Sequence, residues 1–84
     1  MNEEQLIDIL NKTRYERPHS KSIKTELLNL LCVSNCPDLT DVWNLAELLS
    51  RREQITIYEM NDVWCALSEM EKEGKCTLAD FESY

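Results

Sequence analysis

The sequence predicts a mainly α domain of four short helices with a short C-terminal β-strand or hairpin. Three observations carry that expectation. The chain of 84 residues holds one glycine and two prolines, too few for a turn-rich all-β fold or a flexible linker. Apolar residues return at intervals of three and four along four separate stretches, the spacing of amphipathic helices. Capping and stop residues stand where those stretches begin and end. The length points to one domain over residues 1–84. A chain this short buries only about 60–65% of the surface its unfolded form exposes, so every core position counts.

The first helix is expected over about residues 3–15, where Leu6, Ile7, Ile9 and Leu10 form the apolar stripe. Glu3, Glu4 and Asp8 lie toward its start, where the helix dipole favours acids. Thr13 to Lys24 is a polar, basic connection, and Pro18 biases Arg17 away from helical angles. A second helix follows over about 21–32, with Ile23, Leu27, Leu30 and Leu31 on one face and Ser20 or Ser22 as its cap. Ser34 to Asp38 has the composition of a turn. The third helix, about 40–50, presents Val42, Leu45, Ala46 and Leu49, with Trp43 and Leu48 widening the face.

The fourth helix, about 57–73, has the clearest punctuation. Thr56 and Glu59 stand at capping-box spacing, and Ile55 and Met60 flank that cap at the positions of a hydrophobic staple. Met60, Val63, Trp64, Leu67 and Met70 continue the stripe, and Gly74 is a natural left-handed stop. Residues 75–81 alternate enough for a short strand.

Charge divides the chain. Residues 1–36 hold five acids and five bases, whereas residues 37–84 hold eleven acids against four bases and carry the whole net charge of −7. An acidic half repels phosphate backbones and disfavours nucleic acid as a partner. No apolar run approaches the roughly 20 residues that span a bilayer, so no membrane partner is expected. The acidic start Met1-Asn2-Glu3-Glu4 lacks a signal-peptide pattern. A cytoplasmic location with reduced cysteines is expected, and the Asn11-Lys12-Thr13 triplet is discounted as a glycosylation site.

Cys32 and Cys36 form a C-x3-C pair, but Cys65 and Cys76 are spaced C-x10-C, too far apart for a second knuckle. A structural zinc site uses such knuckles in pairs, so no metal is expected. Cys65, beside Trp64, reads as a small buried thiol. His19 reads as a solvated loop residue, and nothing marks an activated nucleophile. One glycine leaves no phosphate-cradling loop, and the acids fall on polar helix faces without a matched pair. No catalytic residue and no cofactor are expected.

The candidate binding residues are of two kinds. Lys12, Arg14, Arg17, Lys21 and Lys24, interleaved with Tyr15 and His19, would suit phosphates or an acidic protein surface; a solvated loop would look the same. Asp62, Glu69 and Glu73 form an acidic face suited to a basic, nucleic-acid-binding surface on a partner. Trp43 and Trp64, each following a valine, serve either as core or, if left partly exposed, as anchors for a partner.

The stretch from Asp41 to Phe81 resembles a winged helix-turn-helix. Val42, Leu45, Ala46, Leu48 and Leu49 match its first helix, and Ala66, Leu67, Met70, Glu71, Gly74 and Lys75 match its second. Cys76 to Phe81 would be a first wing strand, with little room for a second before Tyr84. The resemblance implies a winged-helix-like fold; the alternative architecture for the four helices is a small helical bundle. Two features of the residues depart from a DNA reader. Arg51 to Ile55 is longer than the usual turn, and the second helix carries Glu59, Asp62, Glu69, Glu71 and Glu73 where groove-reading helices offer Arg, Lys, Asn or Gln.

The function expected is that of a small, acidic, non-enzymatic protein-binding domain: an adaptor, inhibitor or regulatory accessory protein, with self-association as a homodimer a further option. In composition such domains resemble accessory proteins of phages and mobile elements. The alternative is a winged-helix DNA-binding transcriptional regulator that uses the basic segment 12–24.

Overall fold

The computed structural model describes residues 2–31 and 39–73. Four helices follow one another in the chain: α1 (Glu3–Thr13), α2 (His19–Leu31), α3 (Thr40–Arg51) and α4 (Ile57–Lys72). No strand occurs among the described residues. The expected C-terminal strand, the Gly74 stop and the Ser34–Asp38 turn all lie outside them.

The α1 helix opens on a capping box. The Asn2 side chain accepts from the Gln5 amide at 2.9 Å, and the Gln5 side chain accepts from the Asn2 amide at 2.9 Å. Leu6, Ile9 and Leu10 are buried, and Ile7 packs against the core edge. The helix ends at Thr13, two residues earlier than expected. There the buried Thr13 hydroxyl turns back to its own helix, donating to the Ile9 carbonyl at 2.8 Å.

The α2 helix starts earlier than its serines suggested. Pro18 precedes it, joined to Arg17 by a cis peptide bond, and the Pro18 carbonyl accepts from the amides of Lys21 and Ser22. Ser20 and Ser22 therefore lie inside the helix, and neither caps it. Proline at this place loses nothing, because the first amides of a helix have no partner within it. Ile23 and Leu27 face the core, whereas Leu30 is exposed.

The α3 helix buries Val42, Ala46 and Leu49, one face at helical spacing. It ends in a Schellman motif. The Gln54 amide donates to the Leu49 carbonyl at 2.9 Å, and the Glu53 amide donates to Ser50 at 3.0 Å. That closure needs a left-handed residue, and Glu53 supplies it with φ of 58°. A side chain with a Cβ is disfavoured there. Glu53→Gly is expected to raise stability by about 0.5–1 kcal/mol, seen as a higher denaturation midpoint in urea.

The α4 helix begins as its sequence signals. The Glu59 amide donates to Thr56 Oγ1 at 3.1 Å, and the Thr56 amide donates to Glu59 Oε1 at 3.1 Å. Val63, Ala66, Leu67 and Met70 are buried, while Met60 packs against the core from its edge. Cys65 points the other way and is an exposed free thiol. The apolar company of Trp64 suggested burial, but position 65 lies opposite the stripe of Val63, Leu67 and Met70.

The α2 helix packs chiefly against α4, α3 packs against α4, and α1 lies against both α2 and α3. One core results, built from Leu6, Leu10, Leu27, Leu49, Leu67 and Met70 with the β-branched residues between them.

Candidate functional site

Two adjoining concavities open along the first turns of α4. The larger is an open groove of about 1020 Å³ between the α1–α2 loop, the α3–α4 linker and the start of α4, with Arg14, Arg17, Tyr58 and Asp62 among its walls. The smaller, about 420 Å³, is lined by Trp43, Ile57, Met60, Asn61 and Trp64. Ile57 and Asn61 belong to both, so the two form one continuous surface.

The smaller concavity is apolar because of how α3 and α4 meet. Trp43 and Trp64 approach edge to face, with ring centroids 5.2 Å apart at 66°. Such a pair contributes about 0.5–1.5 kcal/mol beyond its buried area. Both rings are only half buried. Beside them Ile57 is 77% exposed and Tyr58 80% exposed. Apolar and aromatic side chains therefore meet solvent on the outer side of a helix whose inner side is already filled. The Trp pair is buried at its base and reaches solvent at its rim.

Three of the charged candidates, Lys24, Glu69 and Glu73, turn toward one another, and most of the others find partners elsewhere. Lys12 pairs with Glu26 at 3.5 Å. Lys24, on α2, reaches Glu73 at 3.0 Å and Glu69 at 3.7 Å on α4. Arg14 donates to the Asn11 side chain at 2.8 Å, and Arg17 donates to the carbonyls of Arg14 and Glu16, each at 2.9 Å. Lys21 and Tyr15 are exposed. The basic segment and the acidic helix, separate in sequence, thus partly neutralise each other across α2 and α4. Arg14, Arg17 and Asp62 share the larger groove; Glu69 and Glu73 stand away from it, beside Lys24.

Hydrogen bonding to Glu73 is the main cause of a Lys24 pKa raised above the ordinary 10.5, with the nearby charges of Glu69 and Glu73 adding to it and desolvation opposing it. The folded state therefore holds this proton more tightly than the unfolded chain does. The stabilisation is complete below the ordinary lysine value and is lost as pH rises through the higher folded one. Lys24→Gln is expected to lower stability at pH 8. The gap to the parent should close above the folded pKa, measured by urea unfolding of both proteins across that range.

His19 is not a solvated loop residue. It opens α2 with a side chain only 9% exposed. Its Nδ1 lies 3.0 Å from Asp62 Oδ2, and its Nε2 lies 3.0 Å from Thr13 Oγ1. The Asp62 carboxylate only accepts, so Nδ1 carries the proton of that bond, and Nε2 faces the Thr13 hydroxyl that also donates to the Ile9 carbonyl. The order hydroxyl, imidazole, carboxylate is that of a nucleophilic triad. Here the hydroxyl is sealed inside the fold, with Thr13 only 1% exposed, so the network ties α1, α2 and α4 together.

Ile57, Tyr58, Met60 and Asn61 were read from the sequence as cap and core, or not singled out at all. Their signal was a second stripe on α4, Ile57, Met60 and Trp64, running beside the buried one of Val63, Leu67 and Met70.

Among the described residues no group of three or more metal-ligating side chains comes together, and no helix is long and apolar enough to cross a membrane. Cys32, Cys36 and Cys76 lie outside those residues. Compared with known proteins, the chain matches no family model, no curated protein and no solved structure.

Proposed function

We propose that the protein is a non-enzymatic protein-binding domain that docks on its partner through the outer face of α3 and α4. One observation carries this reading: the exposed Ile57 stands beside a half-buried tryptophan pair in an apolar concavity. Water gains nothing from contact with such a surface. Contiguous apolar patches rimmed by polar residues are typical of interaction sites, and tryptophan and tyrosine dominate interface hot spots. An adaptor, an inhibitor and a regulatory accessory protein would all use a face of this kind.

Nucleic acid is the second reading. Lys12 and Lys24 face carboxylates, which leaves Arg14, Arg17 and Lys21 to meet a phosphate backbone. Three contacts favour duplex binding less than five would.

Ile57→Ser tests the docking face without disturbing the fold. Ile57 contributes little burial, and serine suits the first turn of a helix, so stability should stay within about 0.5 kcal/mol. Affinity capture from the organism that encodes the chain should then retain a protein on the parent that the Ile57→Ser variant loses. Equal capture by both would refute the docking face.

A further inference from the structure

We infer that the Trp43–Trp64 face receives a second copy of the same chain, with α4 antiparallel to its counterpart across a two-fold axis at Met60 and Asn61. The inference rests on the docking role proposed for that face and names its occupant. A two-fold interface sets one patch against itself, so every residue in it must tolerate its own image. Three features of the concavity meet that condition.

The first is charge. Trp43, Ile57, Met60, Asn61 and Trp64 line the concavity, and none of them ionises, so the centre of the contact brings no like charges together. The borders carry both signs. Glu47 pairs with Arg51 at 3.6 Å on α3, and Glu71 stands next to Lys72 on α4.

The second is spacing along α4. Ile57 and Trp64 lie two helical turns apart, about 10 Å, with Met60 and Asn61 midway between them. Reversing the helix about that midpoint lays Ile57 of each copy against Trp64 of the other. Ile57 is 77% exposed at the rim of a hollow of about 420 Å³. Each copy therefore offers both the projecting side chain and the recess that takes it.

The third is Asn61, the one amide among the lining residues and itself exposed. An amide side chain holds donors and an acceptor at once, so two copies meeting at the axis satisfy each other. Asparagine within an apolar helix seam fixes register and the number of chains in this way. Lysine or glutamate there would repel its own image.

Counting every acid and base, each chain carries −7, and two such chains repel at long range. Salt screens that repulsion, so association should tighten as salt is added. An apolar centre of four side chains per copy belongs with small, transient interfaces, and a dissociation constant on the order of 100 µM is expected.

Sedimentation equilibrium of the full chain is the test, run from about 10 µM to about 1 mM at low and high salt. The parent should pass from monomer to dimer over that range. Ile57→Ser should weaken the dimer about tenfold. Asn61→Asp and Asn61→Lys, both at an exposed position, should each weaken it about tenfold, because like charges then meet at the axis. Mixing these two variants sets opposite charges there and should bring the constant back to within a few-fold of the parent's.

A parent that stays monomeric, while a captured protein is still lost by Ile57→Ser, would overturn the second copy and leave the docking face standing. A monomeric parent with equal capture by both proteins would overturn the docking face as well. A dimer unchanged by Ile57→Ser would place self-association elsewhere and overturn the inference. Failure of the mixed Asn61 variants to recover would overturn the antiparallel axis.

Discussion

Leu67→Ala is expected to remove about 2–5 kcal/mol of stability, the cost of deleting a fully buried leucine side chain that its surroundings refill only in part. Leu67 has no exposed surface and sits on α4, which α2 and α3 both pack against. Collapse around the cavity would have to move two helix interfaces at once, which places the cost in the upper part of that range. At roughly 0.05–0.15 kcal/mol per residue, a chain of this length has about 4–13 kcal/mol in total. The variant should therefore be marginal, with a midpoint far below the parent's in urea and an unchanged slope. Leu30→Ala is the control. Leu30 is partly exposed on the outer side of α2, so its loss should cost well under half as much. Similar losses from the two variants would mean that the core is not built as described.

His19→Ala is the second large effect, expected at about 1–3 kcal/mol. The imidazole bridges Thr13 at the end of α1 and Asp62 on α4. Removing it leaves a small void and breaks both bonds. Asp62 is partly exposed, so water can replace its lost donor. Thr13 keeps the Ile9 carbonyl. The cost therefore stops short of that of a buried orphan charge. Asp62→Asn, which keeps an acceptor for Nδ1–H, should cost less than His19→Ala under the same urea unfolding. The reverse order would show that the carboxylate charge, rather than the imidazole bridge, holds the helices together.

The two variants also mark how far the sequence could be read. Leu67 was legible because burial on a helix repeats every three or four residues, and Val63, Leu67 and Met70 keep that interval. The capping box of Thr56 and Glu59 was legible because both partners lie within one turn. His19 was not, because its carboxylate partner stands 43 residues further along the chain. Lys24 was read as part of a basic patch for the same reason, with Glu73 standing 49 residues away. The end of α3 was read as an overlong turn, since a left-handed glutamate carries none of the signal that glycine would.

The proposed docking face was half legible. The sequence raised both roles for the tryptophans, but their edge-to-face meeting depends on how α3 lies against α4, which no local spacing encodes. Ile57 was masked by its position directly after a strong cap, where an apolar residue looks like the start of the buried stripe. Its helical angle turns it outward instead.

The most direct measurement is an amide and indole NMR spectrum of the labelled chain with and without the captured partner. Trp43 and Trp64 are the chain's two tryptophans, so two indole resonances report on the face. The account predicts that both move on binding, together with the amides of Ile57 to Asn61. If both indole signals stay in place while amides around Lys24 or Arg17 shift, the partner binds elsewhere and the docking face is contradicted.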